Sequence, residues 1–457
     1  MRANRMRLVL SLSSALGMVV LSSPAAGQVA SSHGAMPEPP ALIHSSAASR
    51  LHGTAAAEVC LVDPARELLM TDVSIVDDCY RTTWDGNCSA GASPATRGAW
   101  TFGRVAEGIF GTTDPQKLSN RVRQWLNLWM EPHVVNGDLV QARTAMRDLV
   151  LRPWERASQG HRLDMKKAPF RLQAFVVRMD IGDPFFLPEI RSAGEFRLVY
   201  NVLDENGEPT PFTVIFEYTM AARSCQDILD YSHAFNKLSS IDLGPEYNAA
   251  LQTLTDRIIT KDAAPGNLNG SALLAVRTNE AFLGSPWELR SFRLERTDPD
   301  GGTKNAVLAH QFNELTPAER YQGTQTLADL INLVDDDILS GNFAYPISFR
   351  GEPFLAGVSH NPIEYGWFGP PPRCASVENR FARRVFSRFS CQGCHGVDTA
   401  TEFVHIAPRQ PGEASALSPM MTGVAVPDEC GVTLRMNDLL RRKNFQCFLL
   451  SQSCPSE

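Results

Sequence analysis

Apolar positions change their period along the chain, and each change predicts a different kind of structure. In DPQKLSNRVRQWLNLWMEP, Leu118, Val122, Trp125, Leu126 and Trp129 recur at intervals of three and four, which puts them on one face of a helix. VQARTAMRDLVLRPW continues with Val140, Met146, Leu149 and Val150, so residues 58–160 are predicted to be mainly helical. From 161 to 360 the period shortens. FRLQAFVVRMDI, FRLVYNVL, FTVIFEY and WELRSFRLERT are rich in β-branched and aromatic residues and read as strands. DENGEPTP separates the second and third of these runs, and its Asn206-Gly207 is a hairpin signal. EYNAALQTLTDRII and QTLADLINLVDDDIL return to the helical period. Strands in hairpin order with helices among them predict an antiparallel sheet flanked by helices, an α+β arrangement.

The ends of the chain read differently. MRANRMR followed by LVLSLSSALGMVVL and SSPAAGQ has the charged, apolar and small-residue order of a secretory signal, so residues 1–27 are expected to be removed on export. Residues 28–57 are rich in Ala, Ser and Pro, and are expected to form a flexible leader in which His33, His44 and His52 are solvated. Toward the other end, SVENRFARRVFSRFS (376–390) has Val377, Phe381, Val385 and Phe389 four apart. GVTLRMNDLLRRKNFQCFLL (431–450) places Met436, Leu439, Leu440 and Cys447 on another helical face. The segment 361–457 is therefore expected to be a small all-α unit with a Gly-, Pro- and Ala-rich loop between its helices.

Composition narrows the possible functions. The net charge of −7 is spread along the chain, and no basic stripe interleaved with aromatics suggests a nucleic-acid partner. No later stretch has the eighteen or more apolar residues of a membrane helix, so no span is expected once the signal is cleaved. There is no G-x-S-x-G elbow, H-E-x-x-H helix, P-loop or dinucleotide fingerprint. The chain has ten cysteines. Eight of them are Cys60, Cys79, Cys88, Cys225, Cys374, Cys430, Cys447 and Cys454, which suits disulfides in an oxidising compartment. The simplest expectation pairs near neighbours, among Cys60, Cys79 and Cys88 and among Cys430, Cys447 and Cys454.

The other two cysteines carry the chemistry. Cys391-Gln-Gly-Cys394-His395 is the C-x-x-C-H pattern of c-type haem attachment. Both thiols can add to haem vinyl groups while the adjacent imidazole reaches the iron from the same turn. With a helix before it and another after it, the segment resembles class I cytochromes c. The resemblance implies one covalent haem c on Cys391 and Cys394, with His395 as proximal iron ligand. It departs from that family in its short length and in lacking the usual distant methionine. His405 is the candidate distal ligand, with Met420 and Met421 as alternatives. Arg409 is a candidate partner for a haem propionate. Arg383, Arg384 and Arg388, and Arg441, Arg442 and Lys443, form basic clusters that read as solvated helix faces, with a rim that steers an electron-transfer partner as the other reading.

VVRMDIGDP, AGEFRLVYNVLDENGEPTPFTVIFEY and NGSALLAVRTNEAFLGSPWELRSFRL also resemble a group of uncharacterised secreted bacterial proteins. That likeness covers residues 165–425 and implies no activity. The sequence thus predicts a periplasmic or secreted mono-haem protein that passes single electrons to an unidentified redox partner, rather than a catalyst. Its alternatives are a secreted binding or structural protein with a vestigial motif, and a haem enzyme with an open distal site. Zinc on Cys391, Cys394, His395 and His405, and thiol exchange by the cysteine pair, are further readings of the same residues. Trp287 and Trp367 either line a groove or seal a core.

Overall fold

The computed structural model describes residues 60–184, 191–298, 302–360 and 366–454. The expected signal segment and leader, with their histidines, lie outside the described residues. At the centre is a nine-stranded sheet: β1 (Leu69–Met70), β2 (Phe170–Arg178), β3 (Ser192–Leu203), β4 (Pro209–Ala221), β5 (Leu273–Glu280), β6 (Glu288–Leu289), β7 (Ser291–Glu295), β8 (Val307–Gln311) and β9 (Ser359–His360). The strand order is β1-β2-β3-β4-β5-β6-β9, with β7 also pairing with β5 and β8 with β7, and every pairing is antiparallel. The expected α+β class is therefore present. The β3–β4 hairpin turns where Asn206-Gly207 predicted, with Gly207 at φ +82° and Asp204 accepting from the Gly207 N–H at 3.1 Å. A side chain at that φ is strained, which is why the turn uses glycine.

Alternation along the long strands gives the sheet two unlike faces. Phe196, Leu198, Tyr200 and Val202 of β3, and Phe212, Val214, Phe216 and Tyr218 of β4, enter the main core. Helices α1 (Phe102–Phe110), α2 (Pro115–Asn127), α3 (Cys225–Asn236) and α4 (Pro245–Ile259) cover them. The face expected of α2 is the one buried, since Leu118, Val122, Trp125 and Leu126 all join that core. The amino-terminal region is not wholly helical, because His133–Val135 and Asp138–Val140 form a hairpin, which takes Val140 out of the expected helix.

The segment after residue 390 lies over the opposite face. Met421, Ile406, Leu417 and Leu439 pack on Leu69, Ala174, Val176, Val199 and Ile215. Gln173 of β2 donates to the Ala407 carbonyl at 3.0 Å. The segment does not have the helix-on-helix packing that the sequence suggested. Helix α5 (Arg380–Phe389) contributes Ala382 and Phe386 to a second core built from residues 318–356, whereas the closing helix (Asp438–Leu450) sends Leu449 into the main core. Residues 433–436, read as the start of that helix, instead form a strand paired with Val424–Pro427.

The disulfides follow this arrangement. Cys79–Cys88 joins near neighbours as expected, but Cys60–Cys447, Cys225–Cys454 and Cys374–Cys430 replace the local bridges expected among the last three cysteines. The closing helix packs back on α3, where Gln446 donates to the Ser232 carbonyl at 2.9 Å, and this brings Cys447 and Cys454 to distant partners.

Candidate functional site

Helix α5 ends at Ser390, whose side chain caps the short helix α6 (Cys391–Cys394) by accepting from the Gly393 N–H at 3.0 Å. A Cβ at Gly393 would collide with the Ser387 carbonyl, so the close approach of the two helices requires glycine inside the motif. Trp367 seals this junction, its indole N–H donating to Ser390 Oγ at 2.9 Å. Beneath it Arg384 and Ser387 both bond to Asp398, and Arg383 pairs with Asp428. Arg383 and Arg384 are 1% and 2% exposed, which overturns their reading as part of a solvated face. Phe381, expected on the buried side, is 49% exposed. The helix buries its guanidinium groups because carboxylates meet them there, and apolar periodicity does not report such pairs.

The motif residues face three different environments. Cys391 is buried beside Trp287 and Leu289, with its thiol donating to Asn313 Oδ1 at 3.1 Å. Cys394 Sγ lies 3.3 Å from His405 Nε2 and 3.7 Å from Met420 Sδ. His395 bonds through Nδ1 to the Phe403 carbonyl at 2.8 Å. That fixes the tautomer with the proton on Nδ1 and leaves Nε2 as the lone-pair nitrogen. His405 Nδ1 lies 2.8 Å from Ser418 Oγ, a hydrogen bond in which either atom can donate. The two imidazole rings stand 4.4 Å apart, and Trp287 lies 5.8 Å from His395.

The structure thus brings His405 and Met420 to the motif and places Met421 elsewhere, in the apolar cluster against β2 and β3. Met436 joins Met420 beside Cys394, a neighbour that its expected helical setting hid. Arg409 is not at the site. It is buried against β2 and pairs with Asp77 at 2.6 Å, because the loop carrying it crosses the far end of the sheet.

Burial governs the electrostatics. It pushes the Cys391 thiol up and the Cys394 thiol up to about 12. His395 is lowered to about 4 and His405 well below its ordinary value, again mainly by burial. Cys394, His395 and His405 nevertheless keep part of their surface open. The three side chains are thus half-buried, close enough to the interior for desolvation to dominate their titration.

The polar face of the sheet lies beside the motif. Arg197 of β3 pairs with Glu217 of β4 at 3.2 Å, Arg277 of β5 pairs with the same carboxylate at 2.8 Å, and Arg178 at the end of β2 grips Asp180 at 2.9 Å. Arg441 reaches Asp180 at 2.7 Å, and Arg442 pairs with Asp438 at 2.5 Å, so the second basic cluster is also tied to acids. Arg388 makes no ion pair among the described residues and stacks on Phe389 at 4.1 Å.

Asn279, the next outward residue on β5 after Arg277, donates to the Phe403 carbonyl and accepts from the Trp287 indole N–H. Nothing local in the sequence identifies Asn279, Asn313 or Ser418 as neighbours of the motif, since each is brought in by long-range packing.

Among the described residues no group of three or more His, Cys, Asp or Glu side chains is placed to hold a metal ion by itself. The donors gathered at and around the motif are two thiols, of which Cys391 is buried, two imidazoles with Nδ1 engaged, and a thioether. This set suits haem, in which the porphyrin supplies the other iron ligands and the protein needs one or two axial ones. No protein-family model, curated protein or solved structure matches this chain.

Proposed function

We propose that the chain is an exported mono-haem c-type protein whose function is single-electron transfer. Cys391 and Cys394 would hold the haem covalently, and His395 would be its proximal ligand. The observation that carries the reading is the use of cysteine. Eight of ten form four disulfides, and the two left as free thiols are those of C-x-x-C-H. A chain that oxidises every other cysteine and spares this pair, beside an imidazole with its Nδ1 already engaged, has the chemistry for thioether attachment and axial ligation.

Raised thiol pKa values work against exchange chemistry, which needs an accessible thiolate at neutral pH. His405 and Met420 both stand beside Cys394, which makes them the candidates for a distal ligand, and Met421 is set aside by its place in the apolar cluster. Bound haem supplies a one-electron couple. The chain's own residues fix the His395 tautomer, hold the motif helix against α5 and set paired charges beside the motif. Export is supported by the four disulfides and by the signal-like start of the sequence. Among the described residues no helix is long and apolar enough to cross a membrane.

The test is expression with export and the haem-maturation machinery, followed by a pyridine haemochrome spectrum of denatured protein. Covalent haem is expected in the wild type and none in Cys391→Ser/Cys394→Ser. Wild-type protein that stays colourless under conditions that mature a known cytochrome sinks the proposal, and leaves a binding or structural protein with a vestigial motif. Addition of carbon monoxide to the reduced holoprotein then separates a closed electron carrier from an open-site enzyme.

A further inference from the structure

The sheet reaches the proximal histidine through a buried chain of hydrogen bonds. Trp287 Nε1–H donates to Asn279 Oδ1, and Asn279 Nδ2–H donates to the Phe403 carbonyl oxygen. The same oxygen accepts from His395 Nδ1–H at 2.8 Å. Asn279 Nδ2 and His395 Nδ1 lie 3.4 Å apart because both are donors converging on one acceptor, and do not bond one another. Asn279 and Trp287 are 3% and 4% exposed, so water does not compete for these groups. Asn279 sits on β5 between the apolar core and the motif, and its neighbours Thr278 and Glu280 face the other way, toward Arg290 and Trp129.

We infer that Asn279, supported by Trp287, is a positioning residue that weakens the His395–Phe403 hydrogen bond and so raises the reduction potential of the iron. The inference rests on the haem reading above. The physical basis is competition for a single oxygen. A carbonyl that already accepts a strong bond from Asn279 has less electron density to offer His395 Nδ1–H. The more weakly that proton is held, the less anionic the imidazole becomes and the less it stabilises ferric iron. Trp287 acts one step back, polarising the Asn279 amide so that its N–H is a stronger donor.

The experiment uses matured full-length protein with the substitutions Asn279→Leu and Trp287→Phe. Three quantities are read on each: covalent haem by pyridine haemochrome, thermal stability, and midpoint potential. Asn279→Leu removes the competing donor at similar volume. Its potential is expected to fall, changing the ferric-to-ferrous ratio at fixed potential by up to about tenfold, which is 59 mV for a one-electron couple. Trp287→Phe keeps an aromatic ring but removes the N–H together with part of the indole's volume, so the fall should be in the same direction and smaller, with thermal stability reading the packing loss separately. If Asn279→Leu does not fold, Trp287→Phe carries the test by itself. A merely structural role for the pair would lower haem yield or melting temperature without this ordered drop. Haem present with an unmoved or raised potential in the folded variants overturns this inference alone. Absence of covalent haem in the wild type overturns the reading beneath it as well.

Discussion

One face of the central sheet presents Phe196, Leu198, Tyr200, Phe216 and Tyr218 to a layer of helices, and the other presents Arg178, Arg197, Glu217, Arg277 and Asn279 to the segment that carries the motif. The strands are the same and only the phase of alternation differs. The apolar face gains stability without needing exact partners, at about 25 cal/mol per Å² removed from water. The polar face is favourable only if every charge finds an opposite one, because an unmatched buried ion costs several kcal/mol. The first face therefore holds the fold together, while the second sets paired charges against the segment that carries the motif. The difference predicts that the two faces fail in different ways.

The largest effect should come from the apolar face. Phe216→Ala removes a ring that touches Phe102, Trp125 and Tyr200, and is expected to cost about 3–5 kcal/mol in denaturant unfolding. On the polar face, Glu217→Leu leaves Arg197 and Arg277 without the carboxylate they share, at a cost of about 3 kcal/mol. Replacing Arg197, Glu217 and Arg277 together by apolar residues should recover most of that loss. If the triple variant is as unstable as Glu217→Leu, the ions are not compensating one another and the contrast between the faces is wrong.

A smaller effect belongs to the pair Asp77–Arg409, which ties the loop after the motif to the edge of the sheet. The guanidinium and the Gly412 N–H hold the Asp77 carboxyl below its ordinary range despite the opposing effect of burial. A carboxylate with a lowered folded-state pKa stabilises above its unfolded value, near 4, and that contribution is lost as pH falls through the folded value. Asp77→Asn should therefore be about 1 kcal/mol less stable than wild type at neutral pH. The gap should close in acid below about pH 4. An unchanging gap across an acid titration of thermal stability would show that the pair contributes through shape and not charge.

The same contrast explains what could be read from sequence. The alternation of β3 and β4, the turn at Asn206-Gly207 and the stripe Leu118–Val122–Trp125 all report burial against apolar neighbours, which local periodicity encodes. The motif is equally local, and its three residues need no structure to be recognised. What escaped was non-local pairing. Arg383 and Arg384 look like solvent-facing residues until Asp428 and Asp398 are placed beside them. Cys447 gives no hint of Cys60, which is 387 positions away. Thr433–Met436 continued a helical pattern in sequence but became a strand because Val424–Pro427 was there to pair with it. Asn279, which links the sheet to His395, carries no sequence signal at all.

The bridges Cys60–Cys447 and Cys225–Cys454 also constrain the order of events in the life of the chain. Together they tie the closing helix and its tail to residues far earlier in the sequence, so neither can form until nearly all of the polypeptide has been delivered. Cys391 by then lies buried beneath Trp287 and Leu289, out of reach of a reactant as large as a porphyrin. If the proposed haem is attached there, it has to arrive while the chain is still open. On the proposed haem reading, closing Cys60–Cys447 and Cys225–Cys454 would act as a latch thrown afterwards, and chains oxidised too early would fold without haem.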